Sequence, residues 1–480
     1  MEYEIVIWLE IHAKLNAVNK LFCQCINSQD FDHAEPNMHI CPFCTAQPWA
    51  LPVLSKEPVE KAILLWKALQ CTIQEYSLFE RKSYFYPDLP TWYQITQVAQ
   101  PVCIDWSLAF FVDNDFSETK SVRIRDIHLE NDTGKSIRDG KKVLLDFNRA
   151  GTPLVEIVTQ PDFRSSQEVV AFLKELQRII KLNNIGDAQL ENGQMRADVN
   201  ISIRPRGTKE FGTRVEMKNM NSYSAIERAI AHEVARQQDI LAAWWTVDQE
   251  TRRRNDAQKD SFCMRSKEEA MDYRYMPEPD LPPLHLPASY VDQVVEHHWW
   301  VSTSFERIVR YKNDYQFNKE YINGLIADSD LMLFFEQTVA AWKSYNEAAK
   351  WLVSSVARWL NAQQVWFSYC KLTVEDYCAF LDCIETGKIS WPQAKLVIDE
   401  IIQTWRWPDA VIESLWFVAV TETDIKQRLD QLFQEKPDLL SDIQAWNMKP
   451  MWFIIGHVMK QSNGSANPAM IQEVIQRYKK

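Results

Sequence analysis

An α+β fold is expected, with strands confined to the first 290 residues and helices almost alone beyond them. Three observations carry that division. Period-two segments recur early in the chain, spacings of three and four dominate later, and a proline run through Pro287 separates the two. A chain of 480 residues is long enough for roughly two to four domains.

The stretch Glu4 to Leu15 sets the pattern. Ile5, Ile7, Leu9 and Ile11 are apolar, and Val6, Trp8, Glu10 and His12 take the even positions. That is a strand with one face in a core, and it sets Glu10 and His12 side by side on the other, about 7 Å apart. A carboxylate and an imidazole on one rigid strand suit a metal ion or a proton transfer. An ordinary solvated strand face has the same pattern.

Cys23-x-Cys25 and Cys41-x-x-Cys44 come next, with 15 residues between the pairs. Each close pair can supply half of a tetrahedral zinc site. The polar Ile26–Ile40 loop between them needs such a staple. No strand-then-helix pattern surrounds Cys41 and Cys44, which disfavours a redox pair; unligated cysteines are the alternative. A helix is expected over Pro58–Gln70. Phe79–Pro90 is aromatic and basic, and Arg81 and Lys82 there either stack a base and hold a phosphate or belong to an aromatic core segment.

Residues 121–160 hold the densest run of acids and turn residues. Arg125–Lys135 alternates into a turn, and Asp146–Val158 is a loop entering a strand. Glu156 lies there between apolar neighbours, a costly place for an unpaired carboxylate, so a cation is expected beside it. A helix is expected over Ser165–Asn183, then strands over Gln194–Arg204 and Thr213–Lys218. On the first strand Arg196, Asp198, Asn200 and Ser202 share a face; on the second, Arg214, Glu216 and Lys218 do. A helix over Ser222–Leu241 follows. Beyond the prolines, helices are expected over Leu331–Ala341, Tyr345–Ala362, Thr373–Thr386, Trp391–Thr404 and Thr423–Gln434.

Composition narrows the class. At 46% hydrophobic and 25% charged the chain is globular. It shows no apolar run of membrane-spanning length and no secretory leader, so a cytoplasmic protein without a membrane partner is expected. A net charge of −12 argues against broad nucleic-acid binding. From Pro450 onward, however, Lys460, Arg477, Lys479 and Lys480 face a single acid, Glu473. That end is the expected RNA contact, or else a solvated helix end. The ten cysteines, some in tight pairs, suggest metal more than disulfides. There are only 11 Gly, where about 7% would give roughly 34, and 19 Trp.

Several segments, in order, resemble the B subunits of the aspartyl/glutamyl-tRNA amidotransferases. They are Leu9-Glu10-Ile11-His12, the two Cys pairs, Arg81–Asp88, His128-Leu129-Glu130 with Asp132 and Gly134-Lys135, and Asp146-Phe147-Asn148-Arg149. Arg196-x-Asp198-x-Asn200, Glu216–Ser222, and Asp272–Tyr275 with Pro277–Asp280 complete the set. The resemblance runs along essentially the whole chain.

It implies a β-rich catalytic cradle (1–290) with a four-cysteine zinc element, a helical domain (291–405) and a helical tail contacting tRNA (406–480). It implies a ligase that forms a C–N bond with glutamine as amido donor. ATP phosphorylates the side-chain carboxylate of Glu, or Asp, on a mischarged tRNA(Gln) or tRNA(Asn), and ammonia displaces the phosphate. The amidase, or A, subunit supplies the ammonia, and the small C subunit wraps the pair. Phosphoryl transfer asks chiefly for positioning and charge neutralisation. On this reading Glu10, Glu130 and Glu156 hold Mg²⁺ with His12 as a nitrogen ligand or support, and Lys82 and Arg149 meet the nucleotide's phosphates or the carboxylate. Asp198 and Glu216 steer ammonia or take its proton, and Cys23, Cys25, Cys41 and Cys44 hold structural Zn²⁺.

The chain departs from that family in one regular way. Trp stands where glycine is expected at Trp8, Trp49, Trp66, Trp92, Trp391, Trp405, Trp416, Trp446 and Trp452, and Trp244-Trp245 replaces a Gly-Gly turn. Trp8 shares the face of Glu10 and His12 and is expected to fill the space beside them. Either the site is rebuilt, leaving a non-catalytic tRNA-binding scaffold, or UGA codons read as glycine by the source have been written as tryptophan. One codon accounts for both the glycine deficit and the tryptophan surplus. Trp351 has an ordinary core setting and is expected to be tryptophan.

Overall fold

The computed structural model describes residues 2–479 apart from 28–33, 219, 256–259, 267–271, 299–302, 343, 416–421, 446–449, 463–465 and 467. Trp416, Trp446 and Lys480 lie outside the described residues. The chain forms two compact units, Met1–Arg310 and Tyr311–Lys480.

The first unit is built on a nine-stranded sheet. Its order is Asp260–Ser266, Glu250–Asn255, Val215–Lys218, Met195–Pro205, Tyr3–Lys14, Pro153–Thr159, Thr119–Asn131, Cys103–Phe111 and Thr72–Ile73. Neighbours are antiparallel except Val215–Lys218 beside Glu250–Asn255. The first strand is thus central, flanked by strands from far along the chain. Its odd positions, Ile7, Leu9, Ile11 and Ala13, are fully buried, which matches the alternation.

Three helices cover that apolar face: Lys56–Ala68, Ser166–Leu182 and Tyr223–Ala242. Local chemistry sets their ends. Ser165 Oγ accepts from Glu168 N at 3.2 Å, and Ser222 Oγ from Ala225 N at 3.2 Å, each satisfying an otherwise orphaned first-turn donor. Pro58 fits inside the first helix because its missing N–H falls in the first turn. Val169, Phe172, Leu173, Leu176, Ile179 and Ile180 join Ile7, Leu9 and Ile11 in one apolar cluster, each buried side chain contributing about 1.5–3 kcal/mol.

A three-stranded sheet, Met276–Pro277, Glu80–Ser83 and Tyr93–Thr96, stands at the end of the Thr119–Asn131 strand. Gln94 Nε2 donates to the Asn131 carbonyl at 2.7 Å, and Ile95 N to Asn131 Oδ1 at 2.8 Å. Cys71 and Cys103 are joined as a disulfide. Their spacing of 32 residues gave no sign of it, and the expectation of metal over disulfides does not hold for this pair.

The second unit is helical among the described residues. The expected Tyr345–Ala362 helix runs Tyr345–Trp351, then a π-turn over Leu352–Val356, then Ala357–Gln363. Val353 there lies over Gly324, where a Cβ would come within 2.6 Å of it. Glu422–Glu435, Pro437–Gln444, Met451–Gln461 and Pro468–Gln476 share a second apolar cluster that includes Leu429, Phe433, Ile454 and Ile475.

Four of the suspect tryptophans, Trp49, Trp92, Trp244 and Trp405, have left-handed backbone with φ of 69°, 65°, 63° and 57°. A β-carbon is costly there and glycine is not. Trp405 ends the Trp391–Thr404 helix in the left-handed cap conformation that favours glycine. Trp49 and Trp244 are each 96% exposed, so neither ring repays its cost by packing. Trp66 and Trp351 are fully buried instead.

Candidate active site and metal centre

Paired residues on neighbouring antiparallel strands share a face, so the polar side of the sheet can be read along its register. His12 lies opposite Glu156 on one side and Arg196 on the other, and Glu156 lies opposite His128. One row therefore runs His128, Glu156, His12, Arg196. The next runs Asp126, Val158, Glu10, Asp198. On the other side, Glu130, Leu154 and Lys14 form a third.

These rows bring three carboxyl and imidazole groups together. His12 Nε2 is 3.1 Å from Glu130 Oε1 and 3.5 Å from Glu156 Oε2. One donor atom from each of the three lies within 4.8 Å of the others. Glu130 Oε2 is buried without a hydrogen-bond partner among the described residues. Burial alone would lower the His12 pKa, but Glu156 and Glu130 reverse the effect and hold it well above its ordinary value. Burial would likewise raise Glu156, and His12 and His128 instead hold it well below the usual carboxylate range. A site that must gather protons to be stable when empty is one that a cation would fill.

Glu10 is not part of this set. It accepts from Asn200 Nδ2 at 3.3 Å, and burial, then Glu156 and Glu216, push its pKa up. Asp198 and Glu216 meet through Lys218, whose ammonium donates to Asp198 and lies 3.0 Å from Glu216 Oε1. Thr251 Oγ1 donates to Glu216 Oε2 at 2.7 Å.

Lys82 reaches over from the small sheet. Its ammonium lies 5.2 Å from the Tyr273 ring centre. Burial would depress it, but Glu130 and Glu156 hold its pKa up. Its neighbour Arg81 is committed elsewhere: it grips Glu278 with two bonds of 2.8 Å and lies 4.3 Å over the Tyr93 ring. Arg81 is therefore not free to hold a phosphate. Arg149 is committed too, donating to the carbonyls of Thr133 and Gly134 at 3.1 and 2.6 Å and lying 3.3 Å from Asp132. It fixes a turn rather than facing the cavity.

A cavity of about 290 Å³ opens over the polar face. His12, Glu130, Asp132, Arg196, Asp198 and Lys218 line it, with Tyr84 and Gln94 at its wall. Glu10, Glu156 and Lys82 are not lining residues, and neither is Trp8. Trp8 sits opposite Asn200 with the Arg214 guanidinium 6.0 Å from its ring centre. Trp8 stands two residues from Glu10 and four from His12 on the strand, in the row of Asn200 and Glu216, and the cavity lining does not include it.

The four cysteines also converge. Cys44 Sγ lies 3.7, 3.8 and 4.0 Å from those of Cys23, Cys41 and Cys25. Four sulfurs around one zinc at about 2.3 Å stand about 3.8 Å apart, so the set fits that ion. A thiol hydrogen bond from Cys23, then Lys20, push the Cys44 pKa down to about 5.

Sequence reading gave no role to His128, Asp126 or Lys218. His128 Nε2 is 3.1 Å from Glu156 Oε2 and its Nδ1 is 3.1 Å from Asp126 Oδ1, so it orients Glu156. The signal was there: Asp126, His128 and Glu130 alternate on one strand face, and Lys218 shares a face with Glu216.

Two family models match the chain, the GatB/GatE catalytic domain over residues 5–292 and the GatB domain over 333–478. Among known proteins it is similar to the aspartyl/glutamyl-tRNA(Asn/Gln) amidotransferase B subunit of Caldicellulosiruptor bescii, at 38% identity over 99% of this chain and 98% of that protein. The protein of the same name from Persephonella marina is 36% identical over 99% of both chains. That of Brevibacillus brevis is 38% identical over 99% of this chain and 98% of its own.

Proposed function

The chain belongs to the family of aspartyl/glutamyl-tRNA(Asn/Gln) amidotransferase B subunits, and from that premise we propose that the polar face of its sheet activates the side-chain carboxylate of Glu, or Asp, on a mischarged tRNA(Gln) or tRNA(Asn) and amidates it. The observation that carries this reading is the set His12, Glu130 and Glu156 with Lys82 beside it. His12, Glu130 and Glu156 would hold Mg²⁺, and the unpartnered Glu130 Oε2 supports that fit. Once bound, the ion supplies neutralising charge for a phosphoryl group.

The chain's own residues do the rest. The substrate carboxylate attacks the terminal phosphorus of ATP, giving an acyl phosphate and ADP. Lys82 offers its ammonium to the oxygens that carry charge in that transfer. Ammonia then attacks the acyl carbon, phosphate leaves, and the nitrogen sheds a proton. Asp198, in the row next to that of His12, accepts it, with Glu216 one row further along and bridged to Asp198 by Lys218. Arg149 acts at a distance, by holding the Asp132–Gly134 wall. Glu10 supports the row beside the metal set.

The reading includes the amidase and small C subunits as partners, a structural zinc at Cys23, Cys25, Cys41 and Cys44, and work in the cytoplasm. It assigns 1–290 to the cradle, 291–405 to a helical domain and 406–480 to a tRNA-contacting tail. Free ammonium bypasses the amidase, so transamidation of Glu-tRNA(Gln) with ammonium chloride and ATP tests the site itself. Glu130→Ala is expected to lower the rate by about 10²–10³-fold. Full transamidation by that variant would refute the metal assignment.

A further inference from the structure

Lys20 is a fully buried lysine. No carboxylate lies within ion-pair distance of its ammonium among the described residues. A buried ammonium without an anion is costly, so something else must balance it. Its Nζ donates to the His39 carbonyl at 2.7 Å, to Cys44 Sγ at 3.4 Å and to the Phe147 carbonyl at 3.4 Å. The only one of these that can carry a full negative charge is the thiolate.

The fit is built from both sides. Cys44 is the sulfur closest to all the others, and it is buried like Cys23. Four thiolates around one Zn²⁺ leave a net charge of −2, which a buried site cannot carry without compensation. The stem of Lys20 is held in place as well. Gly151, at φ +88°, lies against it, the position of a Cβ there being in ordinary contact at 3.4 Å from Lys20 Cδ. Lys20 N donates to the Cys25 carbonyl at 3.0 Å, and its own carbonyl accepts from Ser55 Oγ at 2.6 Å.

We propose that Lys20 is the built-in countercation of the four-cysteine centre, charge-balancing the thiolates through a direct N–H···S bond to Cys44. The inference rests on the zinc reading of that centre. It gives the centre a fifth, non-ligating member whose charge sets how tightly the metal is held.

Zinc affinity decides it, measured on the full chain by competition with a chromophoric chelator, with the cobalt-thiolate charge-transfer band as a second readout. The wild-type chain is expected to take up one zinc. Lys20→Met and Lys20→Gln, the latter keeping a neutral donor of similar length, are expected to bind zinc about 10–100-fold more weakly. Their cobalt spectra should still report four thiolates. Lys20→Arg should recover most of the affinity. Affinities of the Met and Gln variants equal to wild type would overturn the inference and leave the zinc reading intact. A wild-type chain that binds no zinc would overturn that reading, and this one with it. Should Lys20→Met fail to fold, the Gln variant alone carries the comparison.

Discussion

Glu130 turns one oxygen to His12 and leaves the other buried without a donor among the described residues, which makes it the most demanding single residue of the site. His128 is the next. Burial would depress its pKa, yet Glu156 and Asp126 raise it from 6.5 to about 9. A folded-state pKa above the unfolded one stabilises fully below the unfolded value and is lost as pH rises through the folded one. In metal-free protein, resistance to urea should therefore fall between about pH 6.5 and 9, and the fall should shrink in His128→Gln; equal slopes in both would contradict the assignment. The tryptophans belong to the same scale. At Trp49 and Trp244, left-handed backbone and near-complete exposure coincide, so replacing each by glycine in the chain as written should stabilise it by about 1 kcal/mol. Peptides from the native source should carry the mass of glycine at both positions. A tryptophan mass, with unchanged stability on replacement, would show that these residues are native. The sequence announced these positions through composition and motif, but only the structure, through backbone angle and exposure, separates Trp49 and Trp244 from Trp66, which is buried and packed.

Single elements were legible where a local rule governs them. Ser165 and Ser222 stand one residue before their helices because a serine oxygen can satisfy a first-turn amide, and that is written in the neighbouring residues. The π-turn at Leu352–Val356 was not legible, since no residue of Tyr345–Ala362 breaks the helical pattern. Nor was the use of Arg81. Its guanidinium is spent on Glu278, whose side chain is fully buried, and so ties the Met276–Pro277 strand to Glu80–Ser83. That tie also fixes Tyr273 beside Lys82, with Ser83 N donating to the Tyr273 carbonyl at 2.8 Å. Removing one partner of such a pair costs about 3–5 kcal/mol, because the other is left buried and charged. Arg81→Ala should open the segment to trypsin at Arg274 and lower transamidation, and Arg81→Lys should not rescue it, since an ammonium cannot hold both oxygens. Unaltered cleavage at Arg274 would argue that other contacts hold the segment.

At the scale of the whole molecule, local periodicity reveals strands but not their neighbours. Nothing in Tyr3–Lys14 says that it pairs with Pro153–Thr159 on one edge and Met195–Pro205 on the other. The site exists only because of that pairing, which is why Glu10 and His12 were legible as candidates while their division between two clusters was not. The same topology has a consequence for synthesis. The central strand leaves the ribosome before both of its neighbours, and Glu10 and Asn200, which bond between strands, are 190 residues apart. At about 5–20 residues per second, roughly 10–40 s pass before the second flanking strand is made. Until Pro153–Thr159 is made, Ile5, Ile7, Leu9 and Ile11 form an apolar strand with both edges bare, and one edge stays bare until Met195–Pro205 follows, the kind of segment that aggregates. Nascent chains arrested before Pro153 should crosslink through this strand to a chaperone that binds apolar segments, and chains arrested well past Pro205 should not; equal crosslinking at both lengths would mean that the strand is shielded some other way. Production of this protein is therefore expected to depend on the cell's holding capacity for unfinished chains as much as on the stability of the finished one.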